Sequence, residues 1–286
     1  AGHLKLGNLC WIYDDNHNTI EGETSLAFSE DVAARFLAYG WHVVKVGDAN
    51  DLEALRKAYQ SFLDTDDRPT MIIVRSHIRC VSAHEQYSHE AHGAPLGVEE
   101  VALTKKAYGW PDKQFYVPDE VRENFVATIG KRGSEASAAW QETFDKYKKQ
   151  HAELAEEYLQ IETFQLPQGW DGGIPTFPAD AKGMATRSAS GKVLNAVAAK
   201  LPWMIGGSAD LAPSNNTHLG FDGAGDFLPG NHGGRNLHFG IREHAMGSAL
   251  NGMALSGLRP YGGTFLVFSD YMRPAIRLAA LMRVPA

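Results

Sequence analysis

Apolar and polar residues alternate along the first third of the chain in a strand–helix–strand order. Apolar runs predict three short buried strands, at 9–13, 41–46 and 71–74. Two segments between them predict helices, one capped by Ser29 and closed by Gly40, the other at about 51–63. Strands and helices that alternate at this spacing predict a parallel sheet covered by helices.

The middle of the chain predicts a long loop followed by a long helical region. Residues 77–97 form a loop that contains several His and Gly residues, and long loops often carry function. From 118 to about 161 the pattern is helical throughout. Its apolar stripe steps by four and three residues: Trp140, Phe144, Tyr147, His151, Leu154, Tyr158 and Ile161. Three heptads are too few for a coiled coil, so we expect a packed linker helix in which His151 is structural.

A Pro- and Gly-rich stretch at 165–183 is typical of an inter-domain connection. The alternation then resumes, with a helix at 190–200, strands at 203–205 and 237–239, a loop at 206–235, a helix from about 242, a strand near 261–265 and a final helix. We therefore predict an α/β fold with two parallel sheets flanked by helices and joined by a long helical linker. The expected domain bounds are 1–125, 126–182 and 183–286.

Composition narrows the classes of function. The 286 residues contain 27 Lys+Arg against 34 Asp+Glu, a formal net charge of −7, which argues against nucleic-acid binding. No apolar run is long enough to span a bilayer. Two cysteines, Cys10 and Cys80, exclude a disulfide framework and favour a reducing cytosol, so a cytoplasmic protein is expected. The chain opens without Met and ends in apolar sequence, so we expect part of a longer protein.

Two common motifs fail on inspection. Ser190-Gly191-Lys192 resembles the end of a P-loop, but the next residue is Val193 where Ser or Thr is needed. His84 and His89 are five residues apart, not the four that place two zinc ligands on one helical face. A zinc hydrolase that uses His84, His89 and His92 therefore stays a rival hypothesis, for which we expect no bound zinc.

The segment 13–22 combines a strand end with oxygen-bearing side chains. Asp14, Asp15, Asn16 and Asn18 follow or end the strand at the carboxyl edge of the predicted sheet, where α/β proteins usually bind ligands. Carboxylate, amide and carbonyl oxygens suit Mg²⁺, usually shared with substrate phosphates. On the motif alone, a polar turn after a strand explains the segment better.

A second segment, 238–246, delivers Glu243 from a strand to the first turn of an apolar helix. A carboxylate in that place also simply complements the helix N-terminus. Downstream, Phe265, Phe268 and Tyr271 step by three, a spacing that usually indicates core packing.

Taken together and in this order, these segments resemble transketolase, a thiamine diphosphate enzyme, over nearly the whole chain. The matching strings are LGNLCWIYDDN…TIEG, HGAPLG, GGSADLAPSN, FGIREHAM and PYGGTFLVFSDY. The resemblance implies two partial thiamine diphosphate-binding domains. It assigns 1–125 to the later part of a diphosphate-binding domain, 126–182 to the linker and 183–286 to the early part of a pyrimidine-binding domain. It also implies a homodimer, with the cofactor between the diphosphate domain of one subunit and the pyrimidine domain of the other.

The resemblance further implies site residues. The Asn16 side chain and the Asn18 main-chain carbonyl would bind Mg²⁺ (or Ca²⁺), which holds the diphosphate. Glu243, protonated, would bond N1′ of the aminopyrimidine. The remaining implied residues are Phe265, Phe268 and Tyr271 around that ring, Asp210 near the thiazolium, His92 beside the reacting centre and near diphosphate and substrate, and Arg187 and Ser214 on the sugar phosphate.

The implied activity is transfer of a two-carbon ketol unit from a ketose phosphate to an aldose phosphate through a thiamine diphosphate ylide. Arg187 suits this substrate because a guanidinium binds phosphate through two parallel hydrogen bonds. His92 would stabilise a developing alkoxide or move protons, and Glu243 and His92 would be the catalytic pair. The alternatives are a dihydroxyacetone synthase, which differs in its acceptor, and an inert truncated chain.

Departures from the family pattern concern three positions. Asn18 stands where the family usually has an apolar residue, which ligation through a main-chain carbonyl tolerates. Arg79 and Val81 replace glycines in the loop before His92, and we expect strain there if the backbone needs positive φ. The GDG half of the metal motif and the upstream substrate histidines are absent from these residues, so we expect the isolated chain to be inactive.

Overall fold

The computed structural model describes residues 1–86 and 88–286. They divide into two compact units, Ala1–Thr128 and Ile129–Ala286. Each unit is built on a three-stranded parallel sheet. The predicted α/β class with helix-flanked parallel sheets is thereby confirmed.

In the first unit the strand order is β1-β3-β2, so the carboxyl ends of all three strands lie at one edge of the sheet. In chain order the elements are β1 (Cys10–Asp15), α1 (Val32–Ala38), β2 (His42–Val46), α2 (Leu52–Leu63), β3 (Thr70–Arg75), α3 (Gly97–Ala107) and α4 (Asp119–Phe125). Short 3₁₀ turns occupy Thr24–Leu26 and His89–His92.

The central strand β3 is buried because helices cover both of its faces. Neighbouring strand residues point to opposite faces. Ile73 packs in the cluster that holds Ala33 of α1, while Ile72 packs in the cluster that holds Ala58 of α2. The predicted cap of α1 at Ser29 is wrong. Asp31 caps it instead, since its carboxylate accepts a hydrogen bond from the Ala34 amide at 3.0 Å.

The predicted single helix at 118–161 is also wrong. A π-helical turn (Val126–Gly130) follows α4, and α5 (Lys131–Gln150) is separated from α6 (Ala152–Glu162) by His151 at φ −135°, ψ 58°. The Phe144 and Tyr158 rings meet across this break with centroids 5.4 Å apart. Because α6 folds back on α5, the apolar residues of both helices face each other. Their spacing along the sequence is the same as in one straight helix, so the pattern alone does not distinguish the two arrangements.

In the second unit the strand order is β5-β4-β6, again parallel. Its elements after α6 are α7 (Thr186–Ala198), β4 (Met204–Ser208), α8 (Ala212–Asn215), β5 (Asn236–His238), α9 (Glu243–Leu255), β6 (Arg259–Gly263), a 3₁₀ segment (Leu266–Met272) and α10 (Arg273–Met282). Helix α7 begins four residues before the predicted start. Strand β6 begins two residues before the strand predicted near 261–265. Helix α8 lies within the predicted loop at 206–235.

Buried clusters lie on both sides of β4. Met246 and Leu250 of α9 pack with Ala209, while Ala198 of α7 packs with Leu219 and Ala224. Both cysteines are free. Within the described residues, no helix combines the length and apolarity needed to cross a membrane.

Candidate functional site

Asn16 is held rigidly just beyond the carboxyl end of β1. Its amide Nδ2 donates to Asp14 Oδ2 at 3.1 Å, and its Oδ1 accepts from the Asn18 backbone N–H at 2.9 Å. An amide oxygen has two lone pairs, so Oδ1 keeps one acceptor position for a further partner. The side chain therefore presents an oriented oxygen just beyond β1, at the carboxyl edge of the sheet.

The side chain of Asn18 is held by a hydrogen bond, whereas its main-chain oxygen takes no part in the backbone hydrogen bonds between residues 17–19 and 22–24. The bridge between Asn18 and Glu23 uses the carbonyls of His17 and Gly22 as acceptors. Asn18 Nδ2 donates to the Ser88 carbonyl at 3.2 Å, and within the described part of the chain its buried Oδ1 has no partner. The main-chain carbonyl of Asn18 accepts none of the described backbone hydrogen bonds, which leaves it available as a hard donor.

The loop before His92 has the positive φ values that its sequence makes unfavourable. Arg79 has φ 49° and Val81 has φ 58°. A β-branched residue is a marked outlier in this region, because its branched Cβ crowds the backbone. The expected strain at the two positions where the family has glycines is thus present in the structure.

Replacing Val81 by glycine is expected to raise the free energy of unfolding by about 1 kcal/mol. The strain relieved is about 1–3 kcal/mol, and the entropy cost of glycine is about 0.5–1 kcal/mol. Val81 is 37% exposed, so part of its packing is lost as well, which keeps the expected gain in the lower part of this range. Urea unfolding of both proteins measures the difference. Val98→Gly on exposed α3 is the control and should destabilise; a Val81→Gly protein no more stable than wild type would contradict the strain.

Glu100 on α3 fastens the same loop. Its Oε1 accepts hydrogen bonds from Ser82 Oγ at 2.5 Å and the His84 backbone N–H at 3.0 Å, and its Oε2 lies 2.8 Å from His84 Nδ1. The Ser82 hydroxyl and both His84 groups favour the carboxylate and lower the pKa of Glu100 to about 2. Glu100 therefore acts as a charged acceptor at neutral pH.

These bonds predict a specific acid response. The pKa of Glu100 in the folded protein lies below its ordinary value of 4.5. Its contribution to stability is therefore complete above about pH 5 and is lost as the pH falls towards 2. The difference in unfolding free energy between wild type and Glu100→Gln should be constant above pH 5 and shrink below it. A difference that does not change between pH 5 and pH 2.5 would contradict this assignment.

His92 ends the 3₁₀ turn His89–His92, and its side chain is exposed. Ser88 caps this turn, with its hydroxyl accepting from the Ala91 N–H at 3.3 Å. Since Ser88 also accepts from Asn18, the structure connects the predicted metal segment to the predicted catalytic turn. His84, the first of the three rival zinc ligands, is bonded to Glu100 through Nδ1. The described residues contain no cluster of three or more His, Cys, Asp or Glu side chains fit to hold a metal.

In the second unit, Ser208 organises the carboxyl end of the central strand β4. Its hydroxyl donates to the Gly263 carbonyl at 2.9 Å and accepts from the Leu211 N–H and from Asn215 Nδ2, each at 3.0 Å. These bonds fold the chain back over the strand end. The exposed Asp210 lies in this turn at φ 63°, and the exposed Ser214 follows in α8.

Arg187 is the second residue of α7 and is exposed. An open cleft of about 480 Å³ lies between α7 and α8. Its lining residues are Ser188, Gly191, Lys192, Asn195, Ala212, Pro213, Asn216 and His218. Arg187 and Ser214 do not line this cleft themselves, but they are the chain neighbours of Ser188 and Pro213, which do.

Glu243 is the first residue of α9 and is 6% exposed. Thr264 Oγ1, just past β6, lies 3.4 Å from its Oε1. The next residue, Phe265, begins a row of three stacked aromatic rings. The ring centroids of Phe265 and Phe268 are 6.3 Å apart, and those of Phe268 and Tyr271 are 6.4 Å apart. Phe265 is 39% and Tyr271 66% exposed, so these aromatic residues form an open wall rather than core.

Sequence reasoning missed the bonding roles of Glu100, Ser208 and Ser88, each of which hydrogen-bonds a segment that carries predicted site residues. A signal existed for Glu100. Glu99 and Glu100 followed by Lys105 and Lys106 place acids in the first turn and bases in the last turn of a helix. For Ser208 the signal is its strand-end position in GGSADL, which indicates a site but not this bonding role.

Two family models cover the chain. Residues 1–167 match "Transketolase, thiamine diphosphate binding domain", and residues 182–286 match "Transketolase, pyrimidine binding domain".

Known proteins of the same kind align over the full chain. The transketolase of Geobacillus stearothermophilus is 49% identical over 287 positions, which cover 100% of this chain and 42% of that protein. A crystal structure of Pichia stipitis transketolase in complex with sedoheptulose 7-phosphate superposes with a TM-score of 0.92 at 40% identity, covering 100% of this chain and 43% of that one. For Leishmania mexicana transketolase the TM-score is 0.93 at 39% identity, with 99% and 42% covered. The chain thus spans less than half the length of these relatives, as the sequence predicts, and it belongs to the transketolase family.

Proposed function

We propose that the protein containing these residues is a transketolase, which moves a two-carbon ketol unit from a ketose phosphate to an aldose phosphate. The observation that carries the proposal is the environment of Glu243. Its carboxyl group is 6% exposed at the start of α9 and lies 3.4 Å from Thr264 Oγ1, and Thr264 is followed in the chain by the aromatic residues that begin with Phe265. A buried carboxyl group beside open aromatic faces suits a flat heterocycle that needs one hydrogen-bond donor.

The metal would be Mg²⁺ (or Ca²⁺), held by the Asn16 side chain and the main-chain carbonyl of Asn18. Both oxygens fit, since Asn16 Oδ1 is already oriented by two local bonds and the Asn18 carbonyl is free of the described backbone ladder. Amide and carbonyl oxygens are ligands that hard cations prefer. The GDG segment absent from these residues would add the remaining protein ligand.

Thiamine diphosphate, when bound, supplies the electron sink that makes cleavage beside a carbonyl possible. Glu243 would hold a proton against N1′ of the aminopyrimidine, and Phe265, Phe268 and Tyr271 would exclude water from that ring. Asp210, at the carboxyl end of β4, would lie near the thiazolium. His92 would donate to or accept from substrate oxygens beside the reacting carbon.

Sugar phosphates are the proposed substrates. Arg187 and Ser214 would hold the phosphate, the first through paired N–H donors and the second through its hydroxyl. Both are exposed, which leaves them accessible to a charged group, and each is adjacent in the chain to a residue that lines the cleft between α7 and α8. The Pichia stipitis relative was crystallised with a sugar phosphate, which is the same chemical class.

We further propose a cytoplasmic homodimer with the cofactor at the subunit interface, and the domain division at 1–125, 126–182 and 183–286. A cytoplasmic location agrees with two free cysteines.

Ketol transfer from xylulose 5-phosphate to ribose 5-phosphate, assayed in the full protein with Mg²⁺ and thiamine diphosphate, tests the function. We expect Arg187→Ala to raise the KM for the phosphorylated donor at least tenfold, because it removes a phosphate contact. Lys200→Ala, an exposed cation beyond the other end of α7, is the control and should leave KM unchanged. Absence of ketol transfer in the wild type, or transfer to formaldehyde in preference to ribose 5-phosphate, would refute the proposal.

A further inference from the structure

The loop that carries His92 (77–97) is held both by bonds to α3 and by bonds within the loop. Glu100 holds Ser82 and His84. Arg79 forms an ion pair with Glu85 and donates to the carbonyl of Ala94.

A third fastening comes from the end of α3. Tyr108 donates from its hydroxyl to the carbonyl of Cys80 at 3.0 Å. Cys80 lies between Arg79 and Val81, which both have positive φ. Strained backbone of this kind costs about 1–3 kcal/mol per residue and persists only when the surrounding structure holds it in place. These hydrogen bonds and the ion pair therefore maintain a backbone conformation that Arg79 and Val81 disfavour.

Glu100 is the central fastening because of its place and its burial. It is buried, with 8% of its surface exposed. It accepts hydrogen bonds from Ser82 and His84, which precede the His89–His92 turn in the chain, whereas α3, which carries Glu100, begins five residues after His92. One carboxylate thus joins the entry and the exit of the loop. Removing it would leave the Ser82 hydroxyl and the His84 N–H without these acceptors, and buried donors without acceptors destabilise the conformation that buries them.

We propose that Glu100 is a positioning residue for His92, which it serves by holding the 79–84 backbone in its strained form. Glycines in this loop would need no such restraint. In this chain Arg79 and Val81 replace them, and the carboxylate on α3 compensates. The catalytic part of this proposal rests on the proposed function, whereas the structural part does not.

Hydrogen exchange in the full protein tests the structural part. We expect Glu100→Ala to speed amide exchange across 78–92 at least tenfold and to leave 51–63 in α2 unchanged. Glu99→Ala is the matched control, because Glu99 is the exposed neighbour on the same turn of α3. Glu100→Gln should exchange faster than wild type but more slowly than Glu100→Ala, since it loses the charged acceptor while its carbonyl still accepts from Ser82 or His84 N–H and its amide can donate to His84 Nδ1 in the other tautomer.

The catalytic part predicts a split between kinetic constants. Displacement of His92 should lower kcat about tenfold or more with KM changed less than twofold, because small misplacements near a reacting centre are costly in rate. The loss should shrink to about threefold or less in the Val81→Gly background, where the strain at Val81 is relieved and only Arg79 keeps an unfavourable φ. A role confined to global stability would give no such coupling between the two sites.

Each outcome decides a separate point. Unchanged exchange in Glu100→Ala overturns the proposal altogether. Faster exchange with unchanged kcat overturns the positioning of His92 and keeps the restraint of the loop. A wild type without ketol transfer overturns the proposed function and the catalytic part with it, while the exchange result still decides the structural part.

Discussion

Glu243→Ala is expected to slow exchange of the C2 proton of bound thiamine diphosphate by about 10²-fold or more in the full protein. The physical reason is that proton donation by a positioned side chain is worth about 10²–10⁴-fold. Glu243 is 6% exposed at the first turn of α9, so a carboxyl group that bonds the cofactor there, as proposed, would do so with little competition from water. Exchange into deuterated water, followed by proton NMR of the released cofactor, measures the rate directly.

Two further variants sharpen this test. His244→Ala changes the exposed neighbour of Glu243 on the same helix turn and should leave the exchange rate within about twofold of wild type. Thr264→Val removes the hydroxyl 3.4 Å from the carboxyl group and should have an effect of less than about tenfold, since this contact is long. Near-normal exchange in Glu243→Ala would refute the assigned role.

Sequence patterns predicted the parts of the structure that depend on one strand or one helix at a time. The run 71–74 predicts β3 because a central parallel strand is apolar on both faces. The acidic and amide residues after β1 do lie at the carboxyl edge of the sheet, since parallel pairing places all strand ends of one kind together. The motif around Glu243 marks a strand end and a helix start, and both are where the pattern places them.

Other parts depend on contacts between segments distant in the chain, and no local pattern contains them. The cap of α1 is Asp31 and not the predicted Ser29, because the helix begins at Val32 and the Asp31 carboxylate reaches the Ala34 N–H. The bond from Asn18 to Ser88 joins positions 70 residues apart. The strain at Val81 was foreseen from the replaced glycine, but its restraint by Glu100 was not. To predict that restraint, one must know that Glu100 on α3 contacts the loop that precedes this helix.

The second large effect is expected at Asn236, the first residue of β5. This side chain is 3% exposed and accepts from the Leu219 N–H at 2.8 Å. It also donates to the carbonyls of Leu219 at 3.1 Å and Gly225 at 3.0 Å. Asn236→Ala leaves the buried Leu219 N–H and carbonyl without these partners, at about 1–3 kcal/mol each when neither is replaced by water, whereas the Gly225 carbonyl still accepts from the Arg235 and Asn236 N–H groups. A loss of about 3 kcal/mol in unfolding free energy is expected, measured by urea unfolding.

The donor and acceptor roles of Asn236 can be separated. Asn236→Asp keeps an oxygen for the Leu219 N–H but places a second oxygen against two carbonyls, so it should destabilise at least as much as alanine. Asn231→Ala is the control, because Asn231 is exposed and its side chain makes one long bond of 3.5 Å; it should cost less than about 0.5 kcal/mol. Since β5 leads through 239–242 directly into Glu243, loosening of this strand should also lower the C2 exchange rate of the full protein. An Asn236→Asp protein as stable as wild type would show that the side chain acts only as an acceptor.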